Sequence, residues 1–304
     1  MCCEPLDPTA IAAGLSLRAT PPTIHCHATV SSTMDLARTL LNTLAPHHVP
    51  ALVVADAQTA GRGRMGRPWV APAGTALLLS LAFRPTWLPP EQGVALVWLT
   101  AVALCEAVEA VTPLRPGLKW PNDLLVAPAR STYAETSCST QAAQPPSSPA
   151  LADGDSRAAP HELPWAKAAG LLLEMTFGAA GIEGAILGCG VNVSAAPPVE
   201  ITRYPATSLA AAAGVPVSRL ALLHALLLRL DYWQQRLQAG ERSALFTAWR
   251  TRLVTLGRQV CVVTPHGPIA GLAVAVDHHG GLLVRDPNGV LHTITTGDVG
   301  LVPV

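Results

Sequence analysis

The sequence predicts an α+β catalytic domain followed by a small all-β module. Apolar strands and striped helices alternate as far as about residue 253, and beyond it the pattern becomes short strands joined by Gly- and Asn-bearing turns. The 304 residues are 50% hydrophobic and 13% charged, enough for one large core and a smaller companion.

Taken in order, residues 1–24 are punctuated by prolines and are expected to be poorly ordered. His25 to Val30 reads as a first strand. Ser32 to Leu44 reads as a helix with Ser32 or Thr33 as N-cap and Leu36, Leu40 and Leu44 on one face. Ala51 to Ala55 is a short strand, and a Gly/Arg-rich loop runs from Gln58 to Trp69. Thr75 to Phe83 is a strand, Glu91 to Val111 a long helix ended by Pro113, and Gly117 to Val126 a strand interrupted at Pro121-Asn122. Residues 127–164 are Ser, Thr, Ala, Gln and Pro with almost no large apolar side chain. Such a stretch buries too little surface to offset its ordering entropy, so a disordered insertion is expected there. Ala168 to Phe177 and Gly184 to Val193 read as paired strands. Together with Gly117 to Val126 they suggest a hairpin whose tip the insertion has expanded, since closure entropy grows slowly with loop length. Arg219 to Leu237 is a helix with Leu220, Leu223, Leu227, Leu230 and Leu237 at helical spacing, and Glu241 to Leu253 is another. The last strands are Gln259–Val263, Ile269–Val276, Leu282–Arg285 and Val290–Ile294. The predicted boundaries are therefore 25–253 for the catalytic domain and 254–304 for the β module.

Twenty basic residues balance twenty acidic ones, which argues against a broad nucleic-acid footprint. The seven cysteines are odd in number and mostly sit singly in apolar runs, which suits a reducing compartment. His25-Cys26-His27 and Cys2-Cys3 match no zinc spacing, so no metal-ligating set is assigned. The longest apolar run, Val94 to Cys105, is shorter than the roughly 20 residues of a membrane span and reads as a buried helix. With no signal segment at the start, a cytoplasmic location and no membrane association are expected.

Four segments carry chemistry. Gly61-Arg62-Gly63-Arg64-Met65-Gly66-Arg67-Pro68-Trp69 contains G-x-G-x-x-G after a strand. Pro68 and Trp69 follow where a dinucleotide-binding helix should start, which disfavours a nicotinamide-dependent oxidoreductase. The segment is instead a loop bearing three guanidinium forks. Glycines admit close backbone approach to an anion, and arginines give charge-assisted bonds to phosphate or carboxylate. Lys119-Trp120-Pro121-Asn122-Asp123 gathers a cation, an amide and a carboxylate around a bend. Lys167-Ala168-Ala169-Gly170-Leu171-Leu172-Leu173-Glu174 opens a strand with a lysine. In Gly188-Cys189-Gly190-Val191-Asn192, small residues allow close approach.

In this order the four resemble the biotin–protein ligase family, with its patterns GRGRxGRxW, KWPND, KxxGxLxE and GxGxNV. A Ser-Thr-Asn near the start and a Gln before the arginine loop also belong to that pattern. Here Ser32-Thr33-Met34 and Gln58 stand at those places, so Met34 replaces the usual Asn and removes one amide. The resemblance implies a mixed-sheet catalytic domain of the biotin/lipoate ligase type with an SH3-like β-barrel. It also implies ATP-dependent adenylation of biotin, with Mg²⁺, and transfer to a lysine of a biotin carboxyl carrier protein of a carboxylase. By that resemblance Arg62, Arg64, Lys119, Lys167 and Asp123 would be catalytic, with Asp123 a candidate base for the acceptor lysine. Ser32, Thr33, Met34, Gln58, Arg62, Gly63, Arg64, Trp69 and Lys167 would hold biotin, and Arg64, Arg67, Asn122 and Asn192 would hold ATP. A lipoate-type ligase and a non-catalytic biotin-binding protein stand as alternatives. About 24 residues before the first strand leave no room for a three-helix DNA-binding domain, so no operator binding is expected. A monomer or weak homodimer is expected.

Overall fold

The structure, a computed structural model, describes residues 6–18, 22–127, 165–179, 181–198, 204–264 and 267–301. The expected disordered insertion, Ala127 apart, lies outside the described residues.

Seven strands form the main sheet: β1 (Thr23–Val30), β2 (Ala51–Gln58), β3 (Ala76–Phe83), β4 (Gly117–Lys119), β5 (Asp123–Val126), β6 (Ala166–Gly178) and β7 (Gly181–Asn192). Their order is β1-β2-β3-β7-β6-β5-β4. Only β1 and β2 pair in parallel, and α2 (Thr33–Thr43) is the crossover between them. β5 and β6 pair antiparallel on either side of the expected insertion, as a hairpin expanded at its tip requires.

The sheet separates two apolar layers. One face carries α2, whose Met34, Ala37 and Leu41 pack with Val53, Ala82 and Ile186. The other carries the large core, centred on α3 (Ala95–Val111) and covered by α5 (Arg219–Gln238) and α6 (Arg242–Arg250). Twelve of the seventeen α3 residues are buried. By length and hydropathy, Pro90–Val111 would suffice to cross a membrane, but its apolar surface is spent on packing here. A short helix, α4 (Leu209–Ala213), is capped by Ser208, whose Oγ accepts from the Ala211 amide at 3.2 Å.

One expectation needs correcting. The segment before residue 25 is not loose throughout: Pro8–Ala12 forms helix α1, capped by Asp7, and Ile11 is fully buried. His224 Nε2 on α5 lies 3.0 Å from the Ile11 carbonyl, and the Arg18 amide donates to Asp231 at 3.1 Å. Short apolar side chains between prolines carry no periodicity. The burial of Ile11 is decided by the α5 surface.

The C-terminal module is a five-stranded antiparallel sheet of β8 (Gln259–Thr264), β9 (Gly267–Val276), β10 (Leu282–Arg285), β11 (Leu291–Ile294) and β12 (Asp298–Leu301), ordered β11-β10-β9-β8-β12. It is fastened to the catalytic domain around Trp120. The Trp120 amide donates to Thr255 Oγ1 at 2.9 Å, and its indole N–H donates to the Gly280 carbonyl at 2.9 Å.

Candidate active site

Cross-strand partners project from the same face of a sheet. Gly190 is opposite Gly170, and Gly170 is opposite Asp123. One step along, Gly188 lies between Ser80 and Leu172. The residues of the two rows therefore share the α2 face. Beyond the start of α2, glycines leave the sheet surface low, and a cavity of about 670 Å³ opens over it.

Every site residue named from the sequence lines this one cavity: Ser32, Thr33, Met34, Gln58, Arg62, Gly63, Arg64, Arg67, Trp69, Lys119, Asn122, Asp123, Lys167 and Asn192. They come from the start of α2, the end of β2, the arginine loop, the β4–β5 turn, β6 and β7.

At one end the groups are neutral. The Thr33 amide and hydroxyl both donate to Gln58 Oε1, at 2.8 and 3.1 Å, and buried Ser80 donates to Thr33 Oγ1 at 2.9 Å. This chain fixes the Gln58 amide, leaving its N–H groups to donate. Gly61 is required beside it, because a Cβ there would stand 2.8 Å from Gln58 Nε2 and 2.6 Å from the Trp69 carbonyl. Met34 is buried against Gly188 and the α2 core. It supplies apolar wall where the family resemblance leads one to expect an amide.

In the middle lies Trp69. A Cβ on Gly190 would stand 2.6 Å from its Cε2, and one on Gly170 3.1 Å from its Cζ3. The indole thus rests on a cross-strand glycine pair, with Lys167 Nζ 5.7 Å from its ring centre.

The other end is charged. Asp123 Oδ1 is 2.7 Å from Lys167 Nζ, and its Oδ2 is 3.2 Å from Lys119 Nζ. Burial alone would raise the Asp123 carboxyl, but the two ammonium groups outweigh it and hold the group below the usual carboxylate value. A carboxylate so engaged is a weak base. Its geometry suits holding two lysines parallel, not deprotonating a third. Asn122 Nδ2 donates to the Leu171 carbonyl at 2.6 Å, tying the β4–β5 turn to β6.

The arginine loop is closed on itself. The Gly63 amide donates to Arg67 O at 2.7 Å and the Trp69 amide to Gly61 O at 2.8 Å, while Met65 adopts the left-handed φ of 57° at the tip. Arg62 pairs with Asp35 at 2.6 Å. Arg38 pairs with Asp35 at 2.8 Å and also with Glu174. Arg64 reaches Asn122 Oδ1 at 3.5 Å and the Gly297 carbonyl at 3.4 Å, so this loop links the two domains.

Sequence reasoning missed Tyr204, Cys261, Val263, Val299 and Gly300, which complete the far wall. The last four belong to β8 and β12, and β12 itself was not foreseen. Tyr204 precedes a segment joined to the site by the Lys167 amide donating to Pro205 O and the Thr207 amide to Lys167 O. Trp69 Nε1, Asn192 Oδ1 and the Tyr204 hydroxyl are buried in this wall with no hydrogen-bond partner among the described residues.

Comparison with known proteins agrees with this geometry. Residues 27–134 match the Biotin/lipoate A/B protein ligase family and residues 255–302 the Biotin protein ligase C terminal domain. A biotin–[acetyl-CoA-carboxylase] ligase from Paracoccus denitrificans is 30% identical over 79% of this chain and 85% of its own length. The bifunctional ligase/repressor BirA of Bacillus subtilis is 29% identical over 87% of this chain and 70% of its own. In fold, the chain is similar to a biotin protein ligase from Aquifex aeolicus in complex with biotin and ATP. The TM-score is 0.67 at 23% identity, covering 93% of this chain and 99% of that one.

Proposed function

The chain belongs to the biotin–[acetyl-CoA-carboxylase] ligase family, and from that premise we propose which residues carry the reaction and in what order. The enzyme adenylates biotin with ATP and transfers the biotinyl group to a lysine of a carrier protein. The observation that supports the assignment of residues is the division of one cavity into a neutral end at Gln58 and Thr33 and a doubly cationic end at Lys119 and Lys167.

Biotin carries an uncharged ureido ring, an apolar bicycle and a carboxylate. The Gln58–Thr33–Ser80 chain presents fixed polar groups to the ring, and Trp69 with Met34 gives apolar wall. The carboxylate then reaches Lys167. In the first step a carboxylate oxygen attacks the α-phosphorus of ATP, an acyl-phosphate anhydride forms and pyrophosphate leaves. Two like charges 4 Å apart repel by about 4 kcal/mol at an effective dielectric of 20, which is why two lysines and the arginine loop converge there. In the second step the carrier lysine amine attacks the biotinyl carbonyl carbon, an amide forms and AMP leaves. At pH 7 about one free lysine in 2,500 is neutral. Asp123 is assigned the task of positioning Lys119 and Lys167, not of serving as base.

Mg²⁺ belongs to this reading as the partner of ATP. Among the described residues no group of three His, Cys, Asp or Glu side chains surrounds the cavity, and the carboxylate of Asp123 is already held by two lysines. The walls therefore offer no cage of their own, and the ion is assigned to the phosphate oxygens and water. The carrier is read as a biotin carboxyl carrier protein, in keeping with the names of the relatives. A cytoplasmic location is supported by the free state of Cys26, Cys105, Cys189 and Cys261. Equal numbers of acidic and basic residues favour a protein over a nucleic acid as partner. The test is incubation with labelled biotin, Mg-ATP and an apo carrier domain. Label on the carrier, lost when its target lysine is replaced, is expected; labelled lipoate transferred in place of biotin would overturn the reading.

A further inference from the structure

Four charged side chains meet beside the cavity, apart from the lysine pair already described. Asp35 lies in the first turn of α2, where the helix dipole favours a carboxylate, and Arg38 lies one turn further on. Glu174 stands on β6 opposite Ile186, whose side chain belongs to the α2 layer, so Glu174 projects from the α2 face. Arg62 comes from the arginine loop. Its Nη2 is 2.6 Å from Asp35 Oδ1 and 3.9 Å from Glu174 Oε1. Arg38 bridges the same two carboxylates, 2.8 Å from Asp35 and bonded to Glu174. Two guanidinium groups thus face two carboxylates, and the cluster has no net charge. The cationic end of the cavity differs. There Lys119 and Lys167 share the single carboxylate of Asp123, which leaves one positive charge for a substrate anion. The backbone of Arg62 is held as well: it bridges to Pro68, flanked by the bonds of the Gly63 amide to Arg67 O and of the Trp69 amide to Gly61 O. Whatever fixes Arg62 therefore fixes Trp69 and, through Gly61, the surroundings of the Gln58 amide.

Resting on the ligase reading above, we propose that Asp35 and Glu174 are positioning residues: they fasten the arginine loop by its first guanidinium, and Arg62 serves the reaction through that fastening and not by touching a substrate anion. A lone ion pair with side chains 40% and 37% exposed stabilises little. The effect comes from the network. Arg38 holds both carboxylates from α2, so Arg62 meets an acceptor that is already oriented. A loop with glycines at 61, 63 and 66 has much conformational freedom to lose, and a fixed point at Arg62 removes part of that cost before biotin arrives.

The test is titration calorimetry on the full-length enzyme with three ligands: biotin, a non-hydrolysable biotinyl-AMP analogue, and biotinol, in which an alcohol replaces the carboxylate. Asp35→Ala and Arg62→Met are each expected to weaken all three alike, by about fivefold, the size of one partly exposed charge pair. Glu174→Gln, which keeps the shape of the side chain, repeats the test from β6 with the same expected result. Asp35→Ala combined with Arg62→Met should bind no more weakly than either alone, since both remove one interaction. Trypsin should cut the loop of Asp35→Ala faster than that of the wild type. Two results would overturn the proposal. One is a loss in Arg62→Met confined to the charged ligands, with biotinol at its wild-type value, which would place the guanidinium on a substrate anion. The other is unchanged or tighter biotin binding in Asp35→Ala, which would make the pair a restraint on Arg62. If the wild-type enzyme bound none of the three ligands, the ligase reading itself would fail and the proposal with it, a result distinct from both.

Discussion

Gly170 and Gly190 stand opposite each other on β6 and β7, and the Trp69 indole lies across the two Cα atoms. The close approach explains why glycine occurs at both places, since a Cβ on either would press on the ring, and on Gly190 would overlap it. Gly190→Ala is expected to lower unfolding stability by about 1–3 kcal/mol, the usual cost of overpacking, and to weaken biotin binding about tenfold by displacing Trp69. Urea denaturation and calorimetric titration with biotin check the two effects separately.

Asp123 holds two lysines at once, so its loss acts on whatever both lysines do. Asp123→Asn should slow adenylate formation and transfer from preformed adenylate alike, each by more than about tenfold. A base for the acceptor lysine would slow the transfer step alone, so single-turnover measurement of the two half-reactions distinguishes the roles.

The same carboxylate has a pH signature. Its folded-state value lies below the ordinary 3.8 because the two ammonium groups outweigh burial. A depressed carboxyl contributes stability that is present above 3.8 and is lost as pH falls through the lower folded-state value. Acid denaturation below pH 3.8 should therefore be steeper for the wild type than for Asp123→Asn, followed by far-ultraviolet circular dichroism.

The thiols divide by burial. Cys189 points from β7 into the large core with its thiol pushed up to about 12 by burial, and Cys105 is raised further within α3. Cys26 and Cys261 are half-buried. Alkylation at pH 8 read by mass spectrometry should modify Cys26 and Cys261 and spare the other two, and a biotinyl-AMP analogue should slow Cys261, which lines the cavity.

The N-terminal helix is part of the core. Ile11→Ala is expected to cost about 2–5 kcal/mol in urea denaturation, the range for deleting a fully buried aliphatic side chain. A cost near zero would show that α1 does not pack against α5.

Most strands and helices were legible because their signals are local: the short apolar runs at Ala51–Ala55 and Thr75–Phe83, the leucine stripe of α5, the turn residues of the last domain. Two short elements were not. β12 has four residues, and α4 has five, mostly alanine, so neither carries a period.

The candidate site divides on the same line. Its arginines, lysines, glycines and amides were readable because each is embedded in a run of consecutive residues, whose types and spacing survive without coordinates. By itself the sequence determined which groups the chain has available for two anions and a neutral ring. Only the tertiary structure decided which of them meet. The register of β5 and β6 set Asp123 beside Lys167, that of β6 and β7 set Gly170 against Gly190, and the docking of β8 and β12 closed the wall beside Tyr204. Those decisions are long-range pairings, chosen by burial and hydrogen bonding over the whole chain, and a local spacing does not encode them.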